Sequence, residues 1–177
     1  LKGKLILTYP HDDDAVLYQF WNLKEQYGWE YLEKLVANDP VWVRGTAMPY
    51  VAVNNGWYAA SFTTFWAFQS TEESAEESNT RFLLPQNDYF LTWFQTAAIP
   101  TQARNKAAAK LYLNWMLSEE MQGTWLQFPV RYDIEAPAGY QSVLNHNTSP
   151  GDFRRFMMKR AQLERFRLQM RQLIGEA

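Results

Sequence analysis

Cysteine is absent from this 177-residue chain. Its absence excludes a disulfide framework, a thiolate nucleophile and a cysteine-based metal site. It leaves the compartment open, since a chain without cysteine suits either side of a membrane. Charge of one sign is lacking too: 17 Lys and Arg stand against 19 Asp and Glu, a formal net charge of −2, so no global field draws the chain to nucleic acid or to an anionic membrane. No apolar run reaches the roughly 18 residues that a bilayer-crossing helix needs. The two histidines, His11 and His146, lie far apart and outside any HExxH-type spacing, and a structural or exposed role is expected for both. No G-x-S-x-G, P-loop or G-x-G-x-x-G is present, and no carboxylate pair stands out as acid and base. Nothing here calls for a catalytic residue, a metal or a cofactor.

What is abundant is aromatic. Phe, Trp and Tyr make up 16% of the chain, with 8 Trp, within a hydrophobic share of 47% and a charged share of 20%. Those proportions describe an ordinary globular chain. Large rings with polar tips serve either a packed core or a ligand cleft.

The order of elements is legible from local signals. Leu5 to Thr8 reads as a short buried strand closed by Tyr9-Pro10. Asp12 to Asp14 supply N-cap chemistry, and Leu17, Phe20, Leu23 and Tyr27 follow with helical period. Gly28 interrupts, Tyr31, Leu32 and Leu35 continue, and Asn38-Asp39-Pro40 stops the run. Val41-Trp42-Val43 reads as a second buried strand released by Gly45, and a weak helix from about Met48 to Val53 ends at Asn54-Asn55-Gly56. Tyr58 to Phe68 is expected as a third strand running into a loop, Thr71 to Thr80 as an exposed loop or short helix, and Arg81–Leu84 and Tyr89–Ile99 as further strands. Asn105 to Phe128 reads as one long helix, Pro129 to Pro150 as irregular, and Gly151 to Ile174 as a final long helix with Phe156, Leu163 and Met170 seven apart. Strand, helix, strand, helix, strand in series predicts an α/β fold: parallel βαβ units in a mixed, mostly parallel sheet covered by helices.

Several stretches then carry a family resemblance. Leu1 to Leu5, the run Gln26-Tyr27-Gly28-Trp29-Glu30 with Leu32, Leu35 and Asn38, and Asn55-Gly56 before Tyr58-Ala59-Ala60 occur in the right order. Asn105 through Leu111 and Asn114 through Gln122 look like a characteristic "NPEAAKLFLDFLLSPEGQ" helix. Together, from Leu1 to Gln122, they resemble the family 1 extracellular solute-binding proteins of ABC transporters, with the type II periplasmic-binding fold. The part from Tyr132 to Gly175 is similar to the tail of fungal homologues. The resemblance implies an extracytoplasmic carrier and not an enzyme, with a small-molecule solute and ABC-transporter membrane subunits as partners and nucleic acid not among them. It implies that residues 1–98 form the second lobe, and that residues 99–177 form the return hinge and C-terminal helical part of the first. Because the chain opens at Leu1 with no leader segment, most of the first lobe is expected to be missing, its place taken by an N-terminal portion or another copy of the chain.

In open α/β sheets ligands sit beyond the carboxyl ends of the strands, which singles out three loops. Thr8 to Asp14, with Tyr9 and His11, is either a solvated acidic cap or a contact for a cationic ligand. Arg44-Gly45-Thr46 offers a guanidinium able to grip a carboxylate or phosphate through two bonds, or else a structural salt bridge. Thr63-Thr64-Phe65-Trp66 places rings where iron-binding relatives carry adjacent tyrosines; Phe65 and Trp66 cannot ligate ferric ion, and suit stacking on a flat or cationic solute or packing in the core. Thiamine-pyrimidine synthases share the fold but carry a cysteine-rich motif absent here. Seven Lys and Arg crowd the last helix, from Arg154 to Arg171; that pattern fits a solvated basic side over a packed apolar stripe, or an assembly module that binds a partner helix.

Overall fold

The structure, a computed structural model, describes residues 1–65, 67, 79–93, 95–125, 127–137 and 139–177. Among these, seven α-helices and a two-stranded parallel sheet make a mixed α/β fold. Strand β1 is Ile6–Thr8 and strand β2 is Val41–Val43, paired in parallel with Ile6 opposite Val41 and Thr8 opposite Val43. Helices α1 (Asp14–Tyr27) and α2 (Trp29–Ala37) form the crossover between them, as a parallel pair requires.

Local chemistry sets these boundaries. Asp13 caps α1: its Oδ1 accepts from the amides of Ala15 at 2.8 Å and Val16 at 3.0 Å, satisfying two of the donors a helix start leaves free. Asp13→Ala is expected to lower stability by about 1 kcal/mol, read as a fall of roughly 2–4 °C in the thermal midpoint followed by circular dichroism. Gly28, at φ 79, lies in the left-handed region that ends α1, and Asp39, at φ 55, turns the chain from α2 into β2. Helix α3 (Ala47–Asn54) follows β2.

The expected third strand is a correction. Among the described residues of 58–68, it is reduced to one parallel bridge, Leu5 to Ala60, supported by Ala59 N–H donating to Lys4 O at 2.8 Å and Ile6 N–H to Ala60 O at 3.2 Å. Beyond it the side chains of Ser61 and Thr63 replace the ladder. Thr63 Oγ1 accepts from Thr8 N–H at 2.7 Å and Ser61 Oγ accepts from Thr63 N–H at 3.2 Å, the competition that hydroxyl residues offer to regular pairing. Neither Arg81–Leu84 nor the described part of Tyr89–Ile99 forms a strand. There the amide of Leu91 donates to Gln19 Oε1 at 3.2 Å and that of Phe90 to Asn147 O at 3.3 Å, so the segment is tied to α1 and to a loop instead of to a sheet. The expectation for 71–80 falls largely on residues outside those described.

Both long helices are divided. The first becomes α4 (Lys106–Met116) and α5 (Glu119–Thr124), because Ser118 Oγ accepts from Met121 N–H at 3.2 Å and starts a new helix. The last becomes α6 (Pro150–Met158) and α7 (Arg160–Ile174), separated at Lys159, whose ψ of 60 leaves the helical range. Helix α6 lies against α1 and α7 against α2, so the break at Lys159 follows the break at Gly28. Among the described residues between α5 and α6 the chain is irregular apart from a 3-10 turn at Val143–Asn145.

One core joins these pieces: Leu5 and Leu7 of the β1 segment, Leu17 and Phe20 of α1, Leu32 of α2, Phe156 of α6, and Leu163, Phe166 and Met170 of α7. The residues seven apart on the last two helices are therefore buried against the protein's own α1 and α2. Helix α4 is different. It buries no residue, and Leu111, Tyr112 and Trp115 stand exposed on it.

Candidate functional site

Parallel pairing puts the carboxyl ends of β1 and β2 on the same side, and three loops meet there. Thr8 is the hub. Its amide donates to Thr63 Oγ1, and its hydroxyl lies 2.9 Å from Gly45 O and 3.1 Å from Thr63 O. Thr64 Oγ1 donates to Thr46 O at 2.8 Å. These bonds tie the loop after β2 and the 61–65 loop to the end of β1. Gly45, at φ 74, has nothing within 4 Å of a Cβ built on it, so its backbone conformation, not crowding, requires glycine.

Around this hub the candidates separate. Arg44 is committed to Asp12: Nε donates to Oδ2 at 3.1 Å and Nη2 to Oδ1 at 2.7 Å. That two-pronged pair, through its hydrogen bond first, holds the Asp12 carboxyl below the usual carboxylate range. The Arg44 side chain is nevertheless 71% exposed. Tyr9 stacks on Trp42 at 5.9 Å and meets the edge of His11 at 5.2 Å. Phe65 joins Tyr50 at 5.4 Å and Phe82 at 5.9 Å. Thr46 and Thr64 are half-buried and bonded to each other's loops. Trp66 lies outside the described residues. The structure thus brings Tyr9, Arg44, Thr46, Thr64 and Phe65 to one end of the molecule.

His11 touches that group only through the ring of Tyr9. It is 6% exposed, faces α7, and is held below its ordinary pKa by burial first and then by the charge of Arg171. Three participants have roles not assigned from the sequence, two of them inside the loops it singled out. Thr8 and Thr63 lock the loops, a role that buried threonines at a strand end could have suggested. Arg167 of α7 reaches the loop after β1, donating from Nη1 to His11 O at 3.0 Å and pairing with Asp14 and Glu164; no local pattern signals a contact 156 residues away.

Four of the seven basic residues of the last two helices, Arg167 among them, pair with carboxylates within the chain. Arg155 pairs with Asp152, Arg160 with Glu164 and Arg171 with Glu176. A separate open hollow of about 570 Å³ lies between α5 and the following irregular segment, lined by Glu119, Glu120, Gln127 and Glu135 among others, with none of the strand-end residues in its wall. Among the described residues no group of His, Asp or Glu could hold a metal ion, and no helix is long and apolar enough to cross a membrane.

The sequence model of the bacterial extracellular solute-binding protein family matches residues 7–146. That span is well over half of the 177 residues. The chain belongs to this family. A comparison with curated proteins finds no match. The match begins inside β1 and ends at His146, so it includes the strand ends and all three loops, while α6 and α7 lie beyond it. The family description places such proteins outside the cytoplasm and makes binding of a solute their task.

Proposed function

We propose that this member of the solute-binding family captures a small solute in a cleft between two lobes and delivers it to the membrane subunits of an ABC transporter, with no chemical conversion of its own. Residues 1–98 contribute one lobe of a type II periplasmic-binding fold, with α6 and α7 packed into its core, and the chain from residue 99 through α5 contributes the return hinge and helical part of the other. Hinge closure brings the second jaw over the first. The observation that carries this reading is the meeting of three loops at the carboxyl ends of β1 and β2 around Thr8, the place where open α/β sheets bind ligands. The bare face of α4, with Leu111, Tyr112 and Trp115 exposed, supports the two-lobe arrangement, because a helix of that pattern normally packs on a neighbour. The first-lobe chain, or another copy of this one, would cover it.

In this jaw Arg44 and Asp12 provide opposite charges, Tyr9 and Phe65 provide ring faces, and Thr46 and Thr64 provide polar edges. That set suits an organic solute with a flat or cationic part. Native mass spectrometry of gently purified protein carrying both lobes should show a small bound mass, and Arg44→Ala should lose it while the thermal midpoint barely moves. Retention of the solute by Arg44→Ala would remove Arg44 from the jaw. Tight binding by the 177-residue chain alone, measured by calorimetry, would overturn the need for a second lobe.

A further inference from the structure

We infer that His11 is a pH-sensitive latch: neutral, it lets α7 close on the loop that follows β1, and protonated, it loosens that contact. Three observations support this. The side chain is 6% exposed, and both ring nitrogens are buried without a hydrogen-bond partner. Buried polar atoms in that condition are few in native structures and usually have a reason. His11 also stands at the joint it would control. Its own carbonyl accepts from Arg167 Nη1 at 3.0 Å, and Arg167 pairs in addition with Asp14 at the start of α1. Finally, its surroundings are built for a neutral ring.

The groups that face it come from three places. On its own loop are Asp12 and the ring of Tyr9; on α7 are Arg167 and Arg171; in the C-terminal tail is Glu176. Each carboxylate among them is already engaged: Asp12 with the fork of Arg44, Glu176 with Arg171 at 3.4 Å. A neutral imidazole brings one donor and one acceptor, whereas the charged ring brings two donors and no acceptor. Protonation would therefore put a third cation beside two arginines, with no uncommitted carboxylate among these neighbours to receive its protons.

The sign follows from linkage. Burial, then Arg171, and more weakly Arg167 hold the folded-state pKa of His11 below 6.5, against smaller opposing effects of Glu176 and Asp12. The unfolded or released ring thus binds protons more readily than the latched one. The latch contributes fully above about pH 6.5, weakens as pH falls through that value, and levels off below the folded-state pKa. Its failure releases the Arg167 clamp first, since that side chain spans α7, His11 and Asp14. A change in mild acid is thereby transmitted from the C-terminal helix to the loop that carries Tyr9 and Asp12, whichever solute the chain binds.

Two measurements on the whole chain test this. Hydrogen exchange of α7 amides, corrected for intrinsic rates, is followed at about pH 7.5 and about pH 5.5, a span that brackets histidine titration. In the natural sequence α7 should exchange faster at the lower pH, by up to roughly tenfold for each pH unit separating the native and free titration points. In His11→Phe and His11→Gln it should show no such change. Nuclear magnetic resonance titration of the His11 ring, the one histidine signal left in His146→Gln, should give a midpoint below that of free histidine. Unchanged α7 exchange in the natural sequence, an equal acid effect in both His11 variants, or a His11 midpoint at or above the free value would each overturn the latch. Should neither His11 variant fold, the ring titration decides alone.

Discussion

Replacing Phe166 with alanine is expected to lower the unfolding free energy by about 3–5 kcal/mol, the range found for deleting a buried phenylalanine. Phe166 is 1% exposed. Its ring meets that of Trp21 edge-on at 5.1 Å and 90°, and lies 5.7 Å from that of Trp29. Trp21 belongs to α1 and Trp29 opens α2, so this one side chain of α7 ties down both crossover helices. Removing it forfeits the transfer of the ring from water and leaves a cavity that two rigid indoles cannot collapse to fill. The thermal midpoint should fall on the order of 10 °C, and denaturant titration should show the loss with an unchanged slope. Phe166→Leu, which keeps most of the volume, should cost less than half as much. A loss in Phe166→Ala below about 1 kcal/mol, the centre of the range for unselected substitutions, would show that α7 is not part of the core. The result bears on function too, because the family match stops at residue 146. If α7 is integral, the region that positions the strand-end loops extends past the matched span, and the apolar stripe of the last helix is not free for a partner.

How much of this could be read from the sequence depended on how local each signal was. The β1–α1–α2–β2 unit was legible because every boundary has its own residue: Asp13 at the cap, Gly28 at the break, Asn38-Asp39-Pro40 at the stop. The third strand was not legible as what it is. Its small and aromatic residues have the composition of a strand, but Thr63 and Ser61 supply hydroxyls that satisfy the same amides at lower backbone cost. The division of the 105–128 helix was hidden for a related reason. Ser118-Glu119-Glu120 is acceptable in a helix interior, yet it is also a strong helix start, with a cap and two acidic residues in the first turn. Periodicity alone does not choose between these. Of the candidate site, the loops were legible and the pairings were not. Arg44 could grip a ligand or a neighbour until Asp12, 32 residues away, was seen in its fork.

Arg167→Ala is the other change with a large expected effect, about 2–3 kcal/mol, somewhat under the cost of breaking a fully buried pair. The side chain is 20% exposed, and it serves three acceptors at once: His11 O, the Asp14 carboxylate and, through Nε at 3.2 Å, Glu164. Alanine would leave the His11 carbonyl without this donor and Asp14 without its cation, and an unmade bond to a buried group costs more than a made one contributes. Charge alone should not repair this. Arg167→Lys keeps the cation but lacks the planar fork that spans α7 and the loop, so it should recover less than half of the loss. The exposed pair Arg160–Glu164, with side chains 62% and 49% exposed, serves as the internal contrast, and Arg160→Ala should barely move the midpoint. A double-mutant cycle of Arg167 with Asp14 should return a coupling of about 1 kcal/mol or more, as contacting charged residues do. Added salt should change it little, because partly buried charges are screened weakly. A coupling near zero would mean that the bond to the His11 carbonyl, not the ion pair, fastens α7 to the loop after β1.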